Sequence, residues 1–137
     1  MMLERVNYGE LNARQKENYN FHKVAAVLAD YEFNCIRLSD DWQGADFLAC
    51  HISGEPTVRI QLKGRLALNK KYVGKQLFVA FRYNDHCYVY PHDELLQQAK
   101  DQGALHDDRD HWRVKGSRTW RKPPSWALSY LEQHRYT

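Results

Sequence analysis

Three residues whose types could do chemistry together are Asp46, Gln61 and Lys63. Residues 57–63 read Thr-Val-Arg-Ile-Gln-Leu-Lys, the alternation of a strand. Val58, Ile60 and Leu62 then point to one face, and Arg59, Gln61 and Lys63 to the other. Asp46 stands in a second apolar run just upstream. A carboxylate, a neutral amide oxygen and a compact ammonium would share one surface. An ordinary polar sheet face also displays such residues, so the elements that position them must decide between the two readings.

Residues 11–31 have the pattern of a helix, with Phe21, Val24, Ala25, Leu28 and Tyr31 on one stripe. Extended backwards, the same stripe reaches Glu17 and Arg14, so it turns from apolar to charged toward its start. A helix of that kind packs most of its length on a sheet and overhangs a polar cleft with the rest. A surface pair between Arg14 and Glu17 would be worth little. Strands are expected over 34–38, 46–52, 57–66, 77–83 and 87–90. Ser-Asp-Asp-Trp-Gln-Gly at 39–44 and Ser-Gly-Glu at 53–55 read as turns, and residues 83–86 as a hairpin turn. Residues 69–75 read as a basic loop. A short helix over 93–100, capped by His92 or Asp93, a polar stretch over 101–125 and a last helix over 125–134 complete the chain. This order predicts an α/β (α+β) single domain over residues 1–137, with a mixed central β-sheet flanked by helices.

The 137 residues suit one compact domain, and an apolar fraction of 43% supports a core and excludes intrinsic disorder. A net charge of +3 permits a nucleic-acid partner without demanding one. Cys35, Cys50 and Cys87 form no CxxC pair and read as buried thiols of a reducing compartment. No apolar run approaches a membrane span, and the first residues have no signal-peptide core, so a cytoplasmic location without a membrane is expected. His106, Asp107, Asp108, Asp110 and His111 are metal-ligand types, but neighbours in one loop rarely converge on one ion. Trp42, Trp112, Trp120 and Trp126 are expected in core or rim packing.

The order helix, strand, Gly44-Ala45-Asp46 strand, turn and a strand ending Gln61-Leu62-Lys63 resembles the core of the PD-(D/E)xK nuclease superfamily. Restriction-endonuclease-like enzymes and Holliday-junction resolvases belong to that superfamily. The resemblance covers residues 11–91 and leaves 92–137 as a helical and basic extension; Arg65 matches the usual continuation. It implies a restriction-endonuclease-like fold and metal-dependent endonuclease activity on DNA, with Mg²⁺ or Mn²⁺ as cofactor. It further implies Asp46 as anchoring metal ligand, Gln61 and the Leu62 carbonyl as further ligands, Lys63 as the cation beside the attacking water or phosphate, and Glu17 as a helper on the first helix. Gln61 departs from the commoner glutamate and removes one negative charge, which implies weaker metal binding and some reliance on Mn²⁺. The resemblance also allows a homodimer, since cutting two strands takes two centres. Arg59, Arg65, Lys70, Lys71, Lys75 and Arg82 would track phosphates, and Arg113, Lys115, Arg118, Arg121 and Lys122 add a basic stretch among tryptophans. The rival expectation is a non-catalytic DNA-binding or accessory protein that retains the fold.

Overall fold

The computed structural model describes all 137 residues. Helix α1 (Ala13–Ala29) starts at Asn12, whose side chain accepts the Gln15 N–H at 2.8 Å while Gln15 Oε1 accepts the Asn12 N–H at 2.9 Å. This reciprocal cap satisfies two backbone donors that the first turn cannot. The helix ends two residues before Tyr31, which is exposed and donates its hydroxyl to the Tyr136 carbonyl instead of extending the apolar stripe.

Five strands form the main sheet: β1 (Phe33–Trp42), β2 (Ala45–His51), β3 (Thr57–Leu62), β5 (Leu77–Tyr83) and β6 (His86–Pro91), in the order β1-β2-β3-β5-β6. All neighbours are antiparallel except β3 and β5, so the sheet is mixed as expected. Asn84 and Asp85, both at positive φ, make the two-residue turn between β5 and β6 that residues 83–86 predict. Between β3 and β5 the chain leaves the sheet. Lys63, Gly64 and Arg65 end the expected 57–66 strand early, and Leu66–Asn69 forms a separate strand, β4. The basic loop that follows closes a single 3₁₀ turn over Lys70–Tyr72.

The polar stretch 101–125 is more ordered than its composition suggests. It holds a short helix α3 (His111–Lys115) and a strand β7 (Ser117–Trp120) that pairs antiparallel with β4. Helix α2 (His92–Asp101) begins directly after Pro91, with no side-chain cap from His92 or Asp93. His92 is buried instead: its Nε2 accepts the Asn69 N–H at 3.0 Å and its Nδ1 bonds Asp93 at 2.9 Å. The last helix α4 (Ser125–Leu131) tightens into a 3₁₀ turn over Glu132–His134.

The sheet buries both faces at its β5–β6 side. Phe21, Val24 and Leu28 of α1 pack on Phe47, Ala49, Ile60, Ala80 and Val89. The other face carries Val79, Phe81, Tyr88 and Tyr90 against α2, α4 and β4. Ile60 in the α1 cluster, with Leu62 and Val58 at its edge, is the apolar face that alternation assigned to this strand. Truncating a fully buried side chain here, such as Val24 or Leu131, would cost about 1–4 kcal/mol in lost burial and cavity. Trp112, Trp120 and Trp126 pack on the second cluster, whereas Trp42 is 54% exposed and does not join a core. No helix is long and apolar enough to cross a membrane.

Candidate active site

The antiparallel pairing of β2 with β3 puts Phe47 across from Ile60 on the α1 face, and the next residues, Asp46 and Gln61, turn to the other face. There the strands part. The Asp46 Oδ2 accepts the Leu62 N–H at 2.8 Å, so the carboxylate is fixed by backbone and not by a rotating partner. Glu17, Asp46, Gln61, Leu62 and Lys63 all line one open cleft of about 520 Å³. The five residues expected at a chemical centre are therefore brought together, with the α1 start forming one wall.

Each has a distinct environment. Gln61 is 8% exposed; its Nε2 reaches the Leu62 carbonyl at 3.4 Å, and its Oε1 accepts no hydrogen bond from the protein. Lys63 donates its backbone N–H to Ala80 at 2.9 Å, which pins it beside β5, and its ammonium lies 5.5 Å from the centre of the buried Tyr72 ring. Glu17 pairs with Arg37 at 3.2 Å, not with Arg14; Arg37 also bonds Asn18 and stacks on Phe21. Burial pushes the Asp46 carboxyl up to about 6, with the Asp41 and Glu17 carboxylates adding to the rise and the Leu62 N–H opposing it.

Asp41 belongs to the site and was not expected there. Its segment read as a turn, but β1 runs through it to Trp42, and the turn is Gln43-Gly44 alone. Gly44 is at φ +84°, and a β-carbon there would crowd the Leu77 side chain at 3.3 Å and the Tyr72 ring at 3.4 Å. Lys16, Asn20 and Tyr8 also line the cleft. The sequence stripe pointed to Glu17 and Arg14 and gave no signal for these three; Lys16 and Asn20 flank it on α1, and Tyr8 comes from the 3₁₀ turn before the helix.

The basic residues divide. Arg82 stacks on Tyr19 and reaches Asn20 at 3.5 Å in a second cleft, which shares Tyr8, Asn20 and Gly64 with the first. Arg65 is exposed just beyond Lys63, and Lys71 lies over the face of Tyr72. Lys75 is half-buried beside the same 3₁₀ turn. Arg59 stacks on Trp42 and Lys70 on Trp112, which places these two farther along the surface. In the 106–111 loop, Asp107 accepts the His111 N–H and ring and faces Arg118, so its ligating groups serve the loop itself.

No three His, Cys, Asp or Glu side chains form a ready cage for a metal ion. The donors present are the Asp41 and Asp46 carboxylates, the Glu17 carboxylate held by Arg37, and the Gln61 amide oxygen, all hard oxygen ligands. That set suits Mg²⁺ or Mn²⁺, which keep several waters and use one or two carboxylates, and it does not suit a soft transition metal.

With this geometry in place, the solved structures give a fold. A bacterial homing endonuclease, I-Ssp6803I, superposes with a TM-score of 0.53 over 91% of this chain and 87% of that one, at 11% identity. The fold is restriction-endonuclease-like. The structure of Hjc, a Holliday junction resolvase from the archaeal hyperthermophile Archaeoglobus fulgidus, covers 56% of this chain and 76% of that one, at 16% identity and a TM-score of 0.42. That second likeness is too loose to add to the first. No family model and no curated protein matches the chain. On the restriction-endonuclease-like fold, the cleft sits where β2 and β3 part, with the start of α1 beside it.

Proposed function

We propose that this protein is a divalent-metal-dependent endonuclease that hydrolyses phosphodiester bonds in DNA. The observation that carries the reading is the convergence of Asp46, Gln61 and Lys63 in one cleft at the parting of β2 and β3. Asp46 Oδ1, left over by the Leu62 bond, and Gln61 Oε1 would hold the cation. Bound Mg²⁺ or Mn²⁺ would supply Lewis acidity toward the phosphate and a water acidic enough to attack it. The Leu62 carbonyl, expected as a further ligand, accepts one long hydrogen bond from the Gln61 amide at 3.4 Å and keeps a second lone pair for a cation.

The remaining work falls to side chains of this chain. Lys63 holds a non-bridging phosphate oxygen or the attacking water with a compact charge, and its backbone bond to Ala80 fixes where that charge starts from. Glu17 stays anchored by Arg37 at the edge of the cleft and adds to the negative field there. Arg82, Arg65 and Lys71 flank the cleft and would seat the backbone without reading sequence. A second copy of the chain would supply a second centre for the opposite strand of a duplex.

The test is nicking of a supercoiled plasmid with Mg²⁺, with Mn²⁺ and with chelator. Wild type should nick only with metal, and Asp46→Ala and Lys63→Ala should each lose about 100-fold or more. Nicking that survives both substitutions would sink the assignment of the site. Salt-sensitive DNA binding without any cutting would instead establish the non-catalytic module.

A further inference from the structure

The pairing of β1 with β2 begins in one register, with Arg37 across from Phe47, and finishes in another, with Trp42 across from Ala45. Continued without change, the first register would set Leu38 opposite Asp46. The shift inserts extra residues into β1, and one step back from the Trp42–Ala45 pair it is Asp41 that faces Asp46. Bulges of this kind re-aim side chains next to active sites. Here the bulge replaces an apolar neighbour of Asp46 with a second carboxylate.

Two carboxylates facing across a ladder repel. Neither has a cationic partner: none of the protein's ion pairs includes Asp41 or Asp46. Both line the main cleft, and both line the adjoining one with Arg14 and Arg37. Into the same main cleft comes Gln61, 8% exposed, with an Oε1 that no protein donor satisfies. An amide oxygen without a protein donor, facing the cleft beside two carboxylates that belong to no ion pair, is a set of acceptors that a cation would complete.

We propose that Asp41 is the second carboxylate ligand of the divalent cation at this site, supplying from β1 the negative charge that Gln61 does not supply from β3. The inference deepens the metal-dependent reading given above and rests on it. The charge count of the site is then the same as in an Asp-plus-Glu centre, with the second acid delivered by a strand bulge.

The experiment is a titration of the full chain with Mn²⁺, following the signal of the free ion by electron paramagnetic resonance, for wild type, Asp41→Asn, Gln61→Glu and the double variant. Asp41→Asn should weaken Mn²⁺ binding about tenfold or more, and Gln61→Glu added to it should bring affinity back to within about threefold of wild type. Thermal melting supplies a second readout. Mn²⁺ should raise the wild-type midpoint, Asp41→Asn should lose most of that rise, and the double variant should regain it. Melting in chelator also confirms that each variant is folded, and Asp41→Ser serves if Asp41→Asn is not. The proposal is overturned if Asp41→Asn binds as wild type does, if the double variant stays as weak as the single one, or if wild type binds no Mn²⁺. Wild type that binds Mn²⁺ through Asp41 yet cuts no DNA supports this proposal and defeats the nuclease reading alone.

Discussion

Two acidic corners of this molecule are built from the same residue type and behave in opposite ways. At the α3 corner, Asp107 accepts the His111 N–H at 2.9 Å and the His111 ring at 2.6 Å, and Arg118 Nε lies 3.6 Å away. Next to it Asp110 pairs with Arg113. Both Asp107 and Asp110 have a basic partner, and the His111 N–H, helped by the ring, holds the Asp107 carboxyl below the usual carboxylate range. At the cleft, burial pushes the Asp46 carboxyl up, and its neighbours Asp41 and Glu17 push it further. The first corner is complete without a ligand and ties a loop down. At the second, Asp41 and Asp46 belong to no ion pair, and a carboxyl raised by burial and like charge in a cleft marks a candidate functional site.

The sharpest way to break this comparison is to neutralise one acid in each corner and melt the variants in chelator. The signs should differ. Asp46 has its carboxyl raised from 3.8 to about 6, so the folded state prefers the protonated form. The stability this permits is full below pH 3.8 and is lost as pH rises through about 6. Asp46→Asn removes that loss: at pH 8 it should melt a few degrees above wild type, worth about 1 kcal/mol once solvent screening of a half-exposed group is allowed for. At pH 4 the two should melt together. Asp107 has its carboxyl lowered, so its contribution is present above 3.8 and disappears as pH falls below that value. Asp107→Asn should therefore melt below wild type at pH 8 and approach it in stronger acid. Nicking should fall in the Asp46 variant and persist in the Asp107 variant at temperatures where both are folded. Midpoints that move in the same direction at pH 8 would erase the distinction between the corners.

Much of the cleft was legible because it follows from period-two alternation. Asp46 and Gln61 turn away from the Phe47–Ile60 pair, as the apolar residues around them require. The α1 stripe likewise showed where apolar packing gives way to charge, and Glu17 sits at that boundary. Asp41 was not legible, because its position depends on a register shift between Arg37 and Trp42 that leaves no compositional mark. Arg37 as the partner of Glu17, in place of the nearby Arg14, is a contact across twenty residues that helix spacing cannot reveal. Strand β4 looked like the tail of β3, since Leu66 continues the apolar pattern past Gly64. Its partner β7 was hidden for a different reason. Ser117–Trp120 is only four residues long, shows no apolar alternation, and gains its pairing from Leu66–Asn69, whose Leu66 and Leu68 pack with α2 and α4.

A smaller effect would show which of the two corners the DNA visits. Arg65 is exposed immediately beyond Lys63, whereas Arg113 is exposed but already paired with Asp110 at the α3 corner. A side chain that neutralises a phosphate releases a condensed counterion, so removing it flattens the dependence of binding on salt. For Arg65→Ala the slope of log affinity against log salt should become shallower by about one. For Arg113→Ala it should stay as in wild type, since that charge is spent within the protein. Fluorescence anisotropy with a labelled duplex in chelator measures both without cutting. A loss at Arg113 equal to that at Arg65 would mean that the duplex runs across the C-terminal ribbon as well as the cleft. Lys70, which stacks on Trp112 beside that ribbon, would then be the next contact to remove. Unchanged slopes for both would place the phosphate contacts on Arg82, which stacks on Tyr19 in the adjoining cleft, and on Lys71, which lies over Tyr72.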